Sequence, residues 1–331
     1  MSAYRIFILV LLLSATGCGG LHHNYSGDPD ICICDSADKI IPADKPYSTV
    51  KGALLGSRFN SLDDLKSVVR IEYFNDNAPS DSTIHKNSKV CILQCSDGME
   101  AVAVLEAGVN QGDISKAKYG TTRDRLALLL KSPYVISNRK DFERVYLLAR
   151  MRPSIFGEGD VAFFNLAQTM ARNINTPDIA FINPRDSSEK GYLNTFNHIT
   201  AQAFITTCFS EELADFVGDA HERYFHPDLI NGKFSNKEAG DLAEGPVDNY
   251  VDIINNEWGQ ELGKQLKKKY SISRKTNWTP ELLSDYLNDL QNYYSWALQV
   301  GFNPFRPEDE QVVKFSRKLN IVMSSRSFGN Y

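Results

Sequence analysis

Residues 247–269, VDNYVDIINNEWGQELGKQLKKK, decide the fold because they carry two stripes of side chains at helical spacing. One stripe is apolar and returns every three or four residues, which is typical of a helix that packs against a core. The stripe beside it combines carboxylates, amides and two glycines. The apolar stripe is Val247, Val251, Ile254, Trp258, Leu262 and Leu266, and the polar stripe is Asp248, Asp252, Asn255, Asn256, Gly259 and Gly263.

The two glycines of the polar stripe indicate a tight contact between helices. A glycine inside a helix costs about 1 kcal/mol relative to alanine. Gly259 and Gly263 are four residues apart and therefore share one face of the helix. We expect the backbone of another helix to come close there, with the neighbouring Asp and Asn side chains drawn toward the contact.

Two helices predicted just before this segment carry further polar groups. On the first, Asn194 and His198 are four residues apart and lie on one face. On the second, His221 falls on the apolar face and Glu222 falls at its boundary. The sequence therefore predicts that His221 points inward, where each of its ring nitrogens needs a partner.

The three segments together resemble a bacterial domain of unknown function that occurs in exported proteins and toxin-like chains. The pattern of that domain is Asn-x₃-His on one helix, His-Glu on the next, and Asp-x₂-Asn-Asn-x₂-Gly-x₃-Gly on a third. Here the pattern is carried by Asn194–His198, His221–Glu222 and Asp252–Gly263, with Asn197 where the domain usually has an arginine. The resemblance implies a helical domain with a polar cluster, and it implies no particular reaction.

A catalytic interpretation of the cluster is a divalent metal site or an acid–base pair for hydrolysis. Imidazoles and carboxylates can hold a divalent cation and activate water. The predicted metal ligands are His198, His221 and Asp252. The predicted catalytic residues are His221, Glu222 and His198, with His221 or Glu222 as the general base.

A structural interpretation of the same cluster is a hydrogen-bonded core network that fixes three helices. In such a network each buried polar group is satisfied by another. Asn194, Asn255 and Asn256 would belong to this polar cluster. The sequence leaves both interpretations open.

The N-terminus has the three parts of an export signal. Arg5 precedes an apolar core from Ile6 to Leu13, and small residues lead to Cys18. The apolar core is shorter than the roughly 20 residues that span a bilayer, which favours cleavage over a permanent membrane helix. The run LSATGC at 13–18 resembles the bacterial lipobox, which implies a diacylglycerol lipid on Cys18. Ordinary cleavage near an unmodified cysteine is the alternative.

The predicted lipid on Cys18 determines the expected location. The acyl chains of a bacterial lipoprotein bury CH₂ groups at about 0.8 kcal/mol each, which holds the protein on a membrane. Gly19 stands where an Asp is typical of retention in the inner membrane. We therefore expect a lipid anchor in the outer membrane, with the protein in the cell envelope and facing the periplasm or the surface.

The charge of the chain bears on its partners. The formal net charge is −5 at pH 7. A broad basic surface that releases counterions from nucleic acid is therefore not expected, and no nucleic-acid partner is predicted. The membrane, through Cys18, is the predicted partner, and a protein or glycan partner would remain to be identified.

The cysteines after Cys18 suggest disulfides. An oxidising periplasm permits a disulfide between the Cys32–Cys34 pair and the Cys91–Cys95 pair. A zinc site is the alternative, although C-x-C and C-x₃-C depart from the usual C-x₂-C spacing. Cys208 lies in an apolar helical stretch and is expected to be buried.

The expected fold class is α+β and mainly helical. The predicted divisions are a signal peptide at 1–17, a polar tether at 18–49, a small α+β unit at 50–118 and a helical domain at 119–331. Strands are predicted at 69–74, 89–94 and 100–105, with a hairpin turn at 96–98. Helices are predicted at 123–130, 141–151, 160–173, 190–209, 211–226 and 247–269, then from Thr279 to before Gly301, with a short strand at 320–323.

Two functions are consistent with these features. The first is a hydrolase that acts in the envelope on cell-wall or lipid substrates. The second is a non-enzymatic lipoprotein that binds a partner or a glycan, with the polar cluster serving the fold.

Overall fold

The structure is a computed structural model that describes residues 51–74 and 88–325. All of these residues fall within one compact unit. The predicted signal peptide, Cys18, Cys32 and Cys34 lie outside the described residues, as does nearly all of the predicted tether. None of the described helices has the length and apolar composition of a membrane-spanning segment.

A three-stranded antiparallel sheet lies near the start of the described chain. Its strands are β1 (Arg70–Phe74), β2 (Lys89–Ser96) and β3 (Met99–Glu106), in the order β1-β2-β3. Asp97 and Gly98 join β2 to β3 with φ angles of 49° and 76°. Two residues with positive φ give a turn whose twist matches that of the strands. The three predicted strands and the hairpin turn are confirmed.

Helices make up most of the remaining described chain, so the predicted fold class is confirmed. Many begin with a side chain that caps the first turn, such as Ser210 or Thr279, as the physics of unsatisfied backbone N–H groups requires. A π-helical turn at Glu189–Leu193 leads directly into the His198 helix. The α-helices are α1 (Leu62–Leu65), α2 (Gln111–Tyr119), α3 (Thr122–Lys131), α4 (Pro133–Ser137), α5 (Arg139–Ala149), α6 (Pro153–Phe156), α7 (Phe163–Asn173), α8 (Pro177–Ala180), α9 (Asn194–Cys208), α10 (Glu211–Phe225), α11 (Asn236–Ala239), α12 (Pro246–Lys269), α13 (Pro280–Leu298) and α14 (Glu310–Ser324).

Helix α12 connects the sheet with the helical part of the core. Tyr250, Ile254 and Trp258 share one apolar cluster with the sheet, and Trp258 Nε1 donates to Gln94 Oε1 on β2 at 2.8 Å. Leu262, further along the same helix, belongs to the larger cluster of the helices. The predicted division at residue 119 therefore runs through one compact unit, in which α12 packs on both parts.

The predicted close contact at the two glycines is confirmed, and the partner is α9. A Cβ atom on Gly259 would lie 2.8 Å from the carbonyl oxygen of Ile199, and one on Gly263 would lie 2.7 Å from that of Ala203. Real Cβ atoms do not approach backbone oxygens so closely, because such distances lie inside the van der Waals contact. The missing side chains therefore permit the α9–α12 packing that positions the polar cluster.

A buried segment before the sheet is held by one of the predicted cluster residues. The side chain of Asn255 accepts from the N–H of Leu54 and donates to its C=O, both at 2.9 Å. Thr195 Oγ1 donates to the same carbonyl at 2.8 Å. Since Leu54 is fully buried, these bonds satisfy backbone groups that water cannot reach. Asn255 therefore fixes this segment between α9 and α12.

The predicted strand at 320–323 is wrong, because α14 continues through it. Phe315, Leu319 and Val322 keep the helical spacing of buried residues. Asn320 also anchors this turn of the helix: its amide accepts from the N–H of Trp278 and donates to the carbonyl of the same residue, both at 2.8 Å. The β-branched residues near the end of the chain suggested a strand. The apolar residues with which α14 packs against α13 and its neighbours recur at helical spacing instead.

The predicted disulfide between the two cysteine pairs is supported in part. Cys95 takes part in a disulfide, so it cannot be a thiolate ligand of a four-cysteine zinc site. Cys208 is buried, as predicted, and burial raises the pKa of its thiol to about 12.

Candidate functional site

Three side chains from α9, α10 and α12 meet at one point. They are His198, Glu222 and Asp252, and one potential ligand atom from each lies within 4.8 Å of the other two. His198 Nε2 is 3.4 Å from Asp252 Oδ2. Within residues 51–74 and 88–325, no other group of three His, Cys, Asp or Glu residues brings its ligand atoms so close. We call these three residues the central trio.

The ring of His198 is oriented by Asn256. The two residues are joined by a hydrogen bond of 3.0 Å between His198 Nδ1 and Asn256 Oδ1. With the amide oxygen as acceptor, the proton resides on Nδ1 and the lone pair of Nε2 points toward Asp252. Burial lowers the pKa of His198, which favours the neutral ring. A histidine held in this way is typical of metal ligands, whose second nitrogen donates to a neighbouring acceptor.

Asp252 is oriented from the first turn of α9. Asn194 Nδ2 donates to Asp252 Oδ1 at 2.7 Å and lies 3.4 Å from Asp248 Oδ1. Lys190 pairs with the other oxygen of Asp248 at 2.8 Å. Burial raises the pKa of Asp252 to about 7, against the opposing effects of Lys190 and Asn194. One oxygen of Asp252 is thus fixed by an amide, and the other faces His198.

Glu222 is the residue of the trio that lacks a partner within the described part of the chain. It is 2 % exposed, and among the described residues its carboxylate makes neither a hydrogen bond nor an ion pair. Burial, followed by the charges of Asp252, Asp248 and Asp219, raises the pKa of Glu222 well above its usual value. A buried carboxylate without a partner is costly unless it binds a proton or a cation.

His221 does not join the trio, and the prediction that it points inward is wrong. It is exposed, its Nδ1 lies 3.1 Å from Gln111 Oε1, and its ring packs on Phe225 with centroids 4.8 Å apart. The inward face of α10 is instead the line Ala214, Gly218 and Glu222.

The physical reason for this correction is the rotation between neighbouring helix positions. Successive residues are about 100° apart around a helix, so turning α10 by one position exchanges His221 for Glu222. Of the predicted metal ligands His198, His221 and Asp252, the structure brings His198 and Asp252 together, with Glu222 rather than His221 beside them.

The predicted asparagines divide into two groups. Asn194 and Asn256 orient Asp252 and His198, whereas Asn255 points away from the trio and holds Leu54. Lys190 is a site residue that the sequence interpretation missed. Lys190, Asn194 and His198 follow one another at intervals of four residues. This spacing could have indicated that Lys190 lies on the same side as the other two.

The arrangement is suited to bind one cation. Catalytic zinc sites commonly have three protein ligands and an open position for water. The side chain of His198 is 17 % exposed and is the most exposed of the trio. Glu222 and Asp252 are buried behind it.

No protein-family model, curated protein or solved structure matches this chain. The resemblance carried by the three polar segments therefore stays a prediction.

Proposed function

We propose that this protein is a hydrolase of the bacterial cell envelope in which the central trio holds a divalent cation. The observation that carries the proposal is the buried carboxylate of Glu222, which faces Asp252 without a hydrogen bond or an ion pair among the described residues. A network that served only the fold would pair its buried polar groups. A cation between the two carboxylates removes their repulsion and supplies the missing partner.

The donor set indicates the class of cation. Imidazole is a ligand of zinc and other transition metals, whereas carboxylates are also found around manganese, magnesium and calcium. One imidazole with two carboxylates therefore favours Zn²⁺ or Mn²⁺. In a tetrahedral zinc site with zinc–ligand distances of about 2.0–2.2 Å, two ligand atoms lie about 3.3–3.6 Å apart. His198 Nε2 and Asp252 Oδ2 already have this spacing at 3.4 Å, and Glu222 lies within 4.8 Å of both.

A bound divalent cation would supply hydroxide near neutral pH, since it lowers the pKa of its water to about 7. The protein's own residues would prepare the site for that ion. Asn256 keeps the lone pair of His198 Nε2 directed inward, and Asn194 fixes one oxygen of Asp252. Lys190 offsets the charge of Asp248, so that Glu222 and Asp252 supply the negative charge for the ion.

Metal binding is the first expected result. The protein freed of metal with a chelator should bind one equivalent of Zn²⁺ or Mn²⁺ in a calorimetric titration. Glu222→Gln should weaken that binding at least about 100-fold, since the loss of an outer-shell partner alone costs about 10–100-fold in metal affinity.

His221→Asn provides the matched control, because it changes the neighbouring residue on α10 without touching the trio. Its affinity for the metal should equal that of the wild type. The proposal fails if the wild type binds no divalent metal, or if Glu222→Gln binds it as tightly as the wild type does. Hydrolysis is then assayed on ester, amide and phosphodiester substrates with the metal-loaded protein, with a chelator as the blank. Turnover that persists in the chelator would exclude a metal-dependent reaction.

A non-enzymatic envelope protein that binds a protein or glycan partner is the second candidate. It is favoured by the fact that much of the cluster is already paired, as a structural network requires. The bonds His198–Asn256, Asn194–Asp252 and Lys190–Asp248 are all made. Glu222 is the member that this candidate leaves unexplained.

We also propose that the protein is anchored in the outer membrane by a lipid on Cys18. The support is the lipobox-like run at 13–18 and the glycine at position 19. When cells are fed an alkyne analogue of palmitate, the wild type should become labelled and should sediment with outer-membrane vesicles. Cys18→Ser should lose the label and the membrane association. An unlabelled wild type, or a Cys18→Ser variant that keeps its label, would contradict the anchor.

A further inference from the structure

A pocket rich in carboxylates lies beside the central trio, between α10 and α12. It is small and partly open to solvent, and it shares Glu222 with the trio. We call it the acidic pocket. Its polar lining residues are Asp215, Asp219 and Glu222 from α10, with Asn256, Glu257 and Gln260 from α12.

Negative charge in the acidic pocket exceeds the positive charge that faces it. Arg223 pairs with Asp219 at 2.5 Å. Among the described residues, the carboxylates of Glu222 and Glu257 make neither a hydrogen bond nor an ion pair. Burial, and then the charges of Asp215 and Asp219, raise the pKa of Glu257 well above its usual value. The pocket therefore favours a positively charged occupant.

Two buried amides next to these carboxylates each have one atom without a hydrogen-bond partner in the described residues. Gln260 is 2 % exposed and lines the pocket, and its Nε2 has no hydrogen-bond partner within the described part of the chain. Gln202 on α9 is 4 % exposed, and its Oε1 is likewise unpartnered there. Gln202 borders the pocket, because its Nε2 lies 3.0 Å from the position that a Cβ on Gly218 would take, and Gly218 lines the pocket. Buried amides are normally satisfied, so these groups point to a ligand that forms hydrogen bonds.

The spacing of the carboxylates distinguishes between kinds of cation. Oxygen atoms bound to one calcium ion lie up to about 5 Å apart, since each is about 2.3–2.6 Å from the metal. Within the described residues, only the central trio brings three ligand atoms within 4.8 Å. An ammonium group donates three hydrogen bonds of about 2.7–2.9 Å, and amide oxygens accept them as well as carboxylates do. Among the described residues, no three His, Cys, Asp or Glu side chains of the acidic pocket come together in this way, which favours an ammonium group over a directly bound metal ion.

We propose that the acidic pocket binds a primary ammonium group of the substrate, and that the hydrolase acts on an amine-bearing molecule. This inference rests on the proposed function. The three N–H donors of the ammonium meet the carboxylates of Glu222 and Glu257 and the amide oxygen of Gln260, which a half-turn of that amide presents. Ile253 lines the same pocket and contacts the adjoining alkyl carbon. Since Glu222 borders both sites, the ammonium would lie beside the bond to be hydrolysed.

The test measures the binding of propylammonium to the full-length protein loaded with zinc, by calorimetry or by NMR shifts. Two matched probes separate the effect of the positive charge from that of the N–H donors: 1-propanol has no charge, and tetramethylammonium has no N–H donor. Propylammonium should bind at least about 10-fold more tightly than either probe, since a hydrogen bond to a charged group contributes about 1.5–3 kcal/mol. Equal binding of the three probes would overturn the inference.

Variants separate this inference from the proposed function. Glu257→Gln should weaken propylammonium binding at least about 10-fold and leave the affinity for Zn²⁺ unchanged. His198→Asn should weaken Zn²⁺ binding, and when both proteins are free of metal it should bind propylammonium as tightly as the wild type does. If Glu257→Gln does not fold, Gln260→Met, which removes the third proposed acceptor, takes its place.

The outcomes are distinguishable. A protein that binds Zn²⁺ but not propylammonium disproves the ammonium pocket alone. A protein that binds propylammonium but no divalent metal disproves the metal site alone. A second equivalent of divalent metal that Glu257→Gln removes would show that the pocket takes a metal ion, which overturns the inference.

Discussion

Replacing Lys318 with methionine is expected to lower the free energy of unfolding by about 3–5 kcal/mol, because it leaves a buried charge without its partner. Lys318 and Asp160 are both 1 % exposed in their side chains and lie 3.1 Å apart. The ammonium also donates to the carbonyls of Arg150 at 2.9 Å and Val161 at 2.7 Å. Burial lowers the pKa of Lys318, and the charge of Asp160 opposes that effect. Urea unfolding of the wild type and the variant measures the loss.

A double-mutant cycle isolates the ion pair in this result. In Lys318→Met combined with Asp160→Asn, the buried carboxylate is gone, so a large part of the stability should return. Lys314→Met, four residues earlier on the same helix, is the matched control, since its pair with Glu310 is largely exposed on the glutamate side and such pairs contribute about 0–1 kcal/mol. If Lys318→Met changes stability no more than Lys314→Met does, the buried pair does not stabilise the fold as described.

The double variant Gly259→Ala with Gly263→Ala is expected to lose up to about 4 kcal/mol of stability in total, although overpacking alone costs about 1–3 kcal/mol at each site. Each new methyl group would meet backbone atoms of α9, which cannot rotate away as a side-chain end can. The gain of about 1 kcal/mol in helix propensity at each site acts in the opposite direction. Thermal unfolding monitored by circular dichroism measures the net effect.

Gly218→Ala is the matched control for the glycine variants. It also places a methyl group inside a helix, but its nearest neighbours are the ends of the Asn256 and Gln202 side chains, each at 3.0 Å. These side-chain ends can give way, so the helix propensity gained should offset most of the strain. A double variant at Gly259 and Gly263 that is as stable as Gly218→Ala would contradict the close approach of α9 and α12.

The glycine variants also connect the fold with the site. His198 lies on α9 one residue before Ile199, whose carbonyl the methyl group on Gly259 would meet. Forcing α9 away from α12 moves His198 from Asp252, so the variants should bind zinc more weakly wherever they still fold. Metal sites are sensitive to such displacements because ligands must be held to within about 0.5 Å of the productive geometry.

Much of the fold followed from local patterns in the sequence. The three helices α9, α10 and α12 were predicted within a few residues of their observed bounds, because each has a sustained apolar period and clear start signals. The hairpin at Asp97 and Gly98 followed from turn chemistry. Gly259 and Gly263 indicated a close helix contact. These features depend on residues near one another in the chain, which a sequence displays directly.

The composition of the site was predicted only in part. His198 and Asp252 were named from their spacing, and Glu222 was named as a candidate base. The inward position was assigned to His221 because His221 falls on the apolar face of its helix and Glu222 falls at the boundary of that face. In the structure the carboxylate takes that position, and its raised pKa reports the cost. General rules about which residues are buried fail most often at functional sites, where a protein keeps a polar group in its interior.

The sequence by itself determined which segments form helices and strands, where two helices must pack backbone to backbone, and which polar residues share a helix face. Tertiary structure alone decided that Glu222 rather than His221 completes the trio, that Asn255 holds Leu54 some 201 positions earlier, and that α10 and α12 enclose the acidic pocket. Faces one residue apart differ by about 100°, and the rotation of each helix is fixed by its neighbours. Which residues come together at the site therefore depends on how the helices pack, and the sequence of a single helix does not specify it.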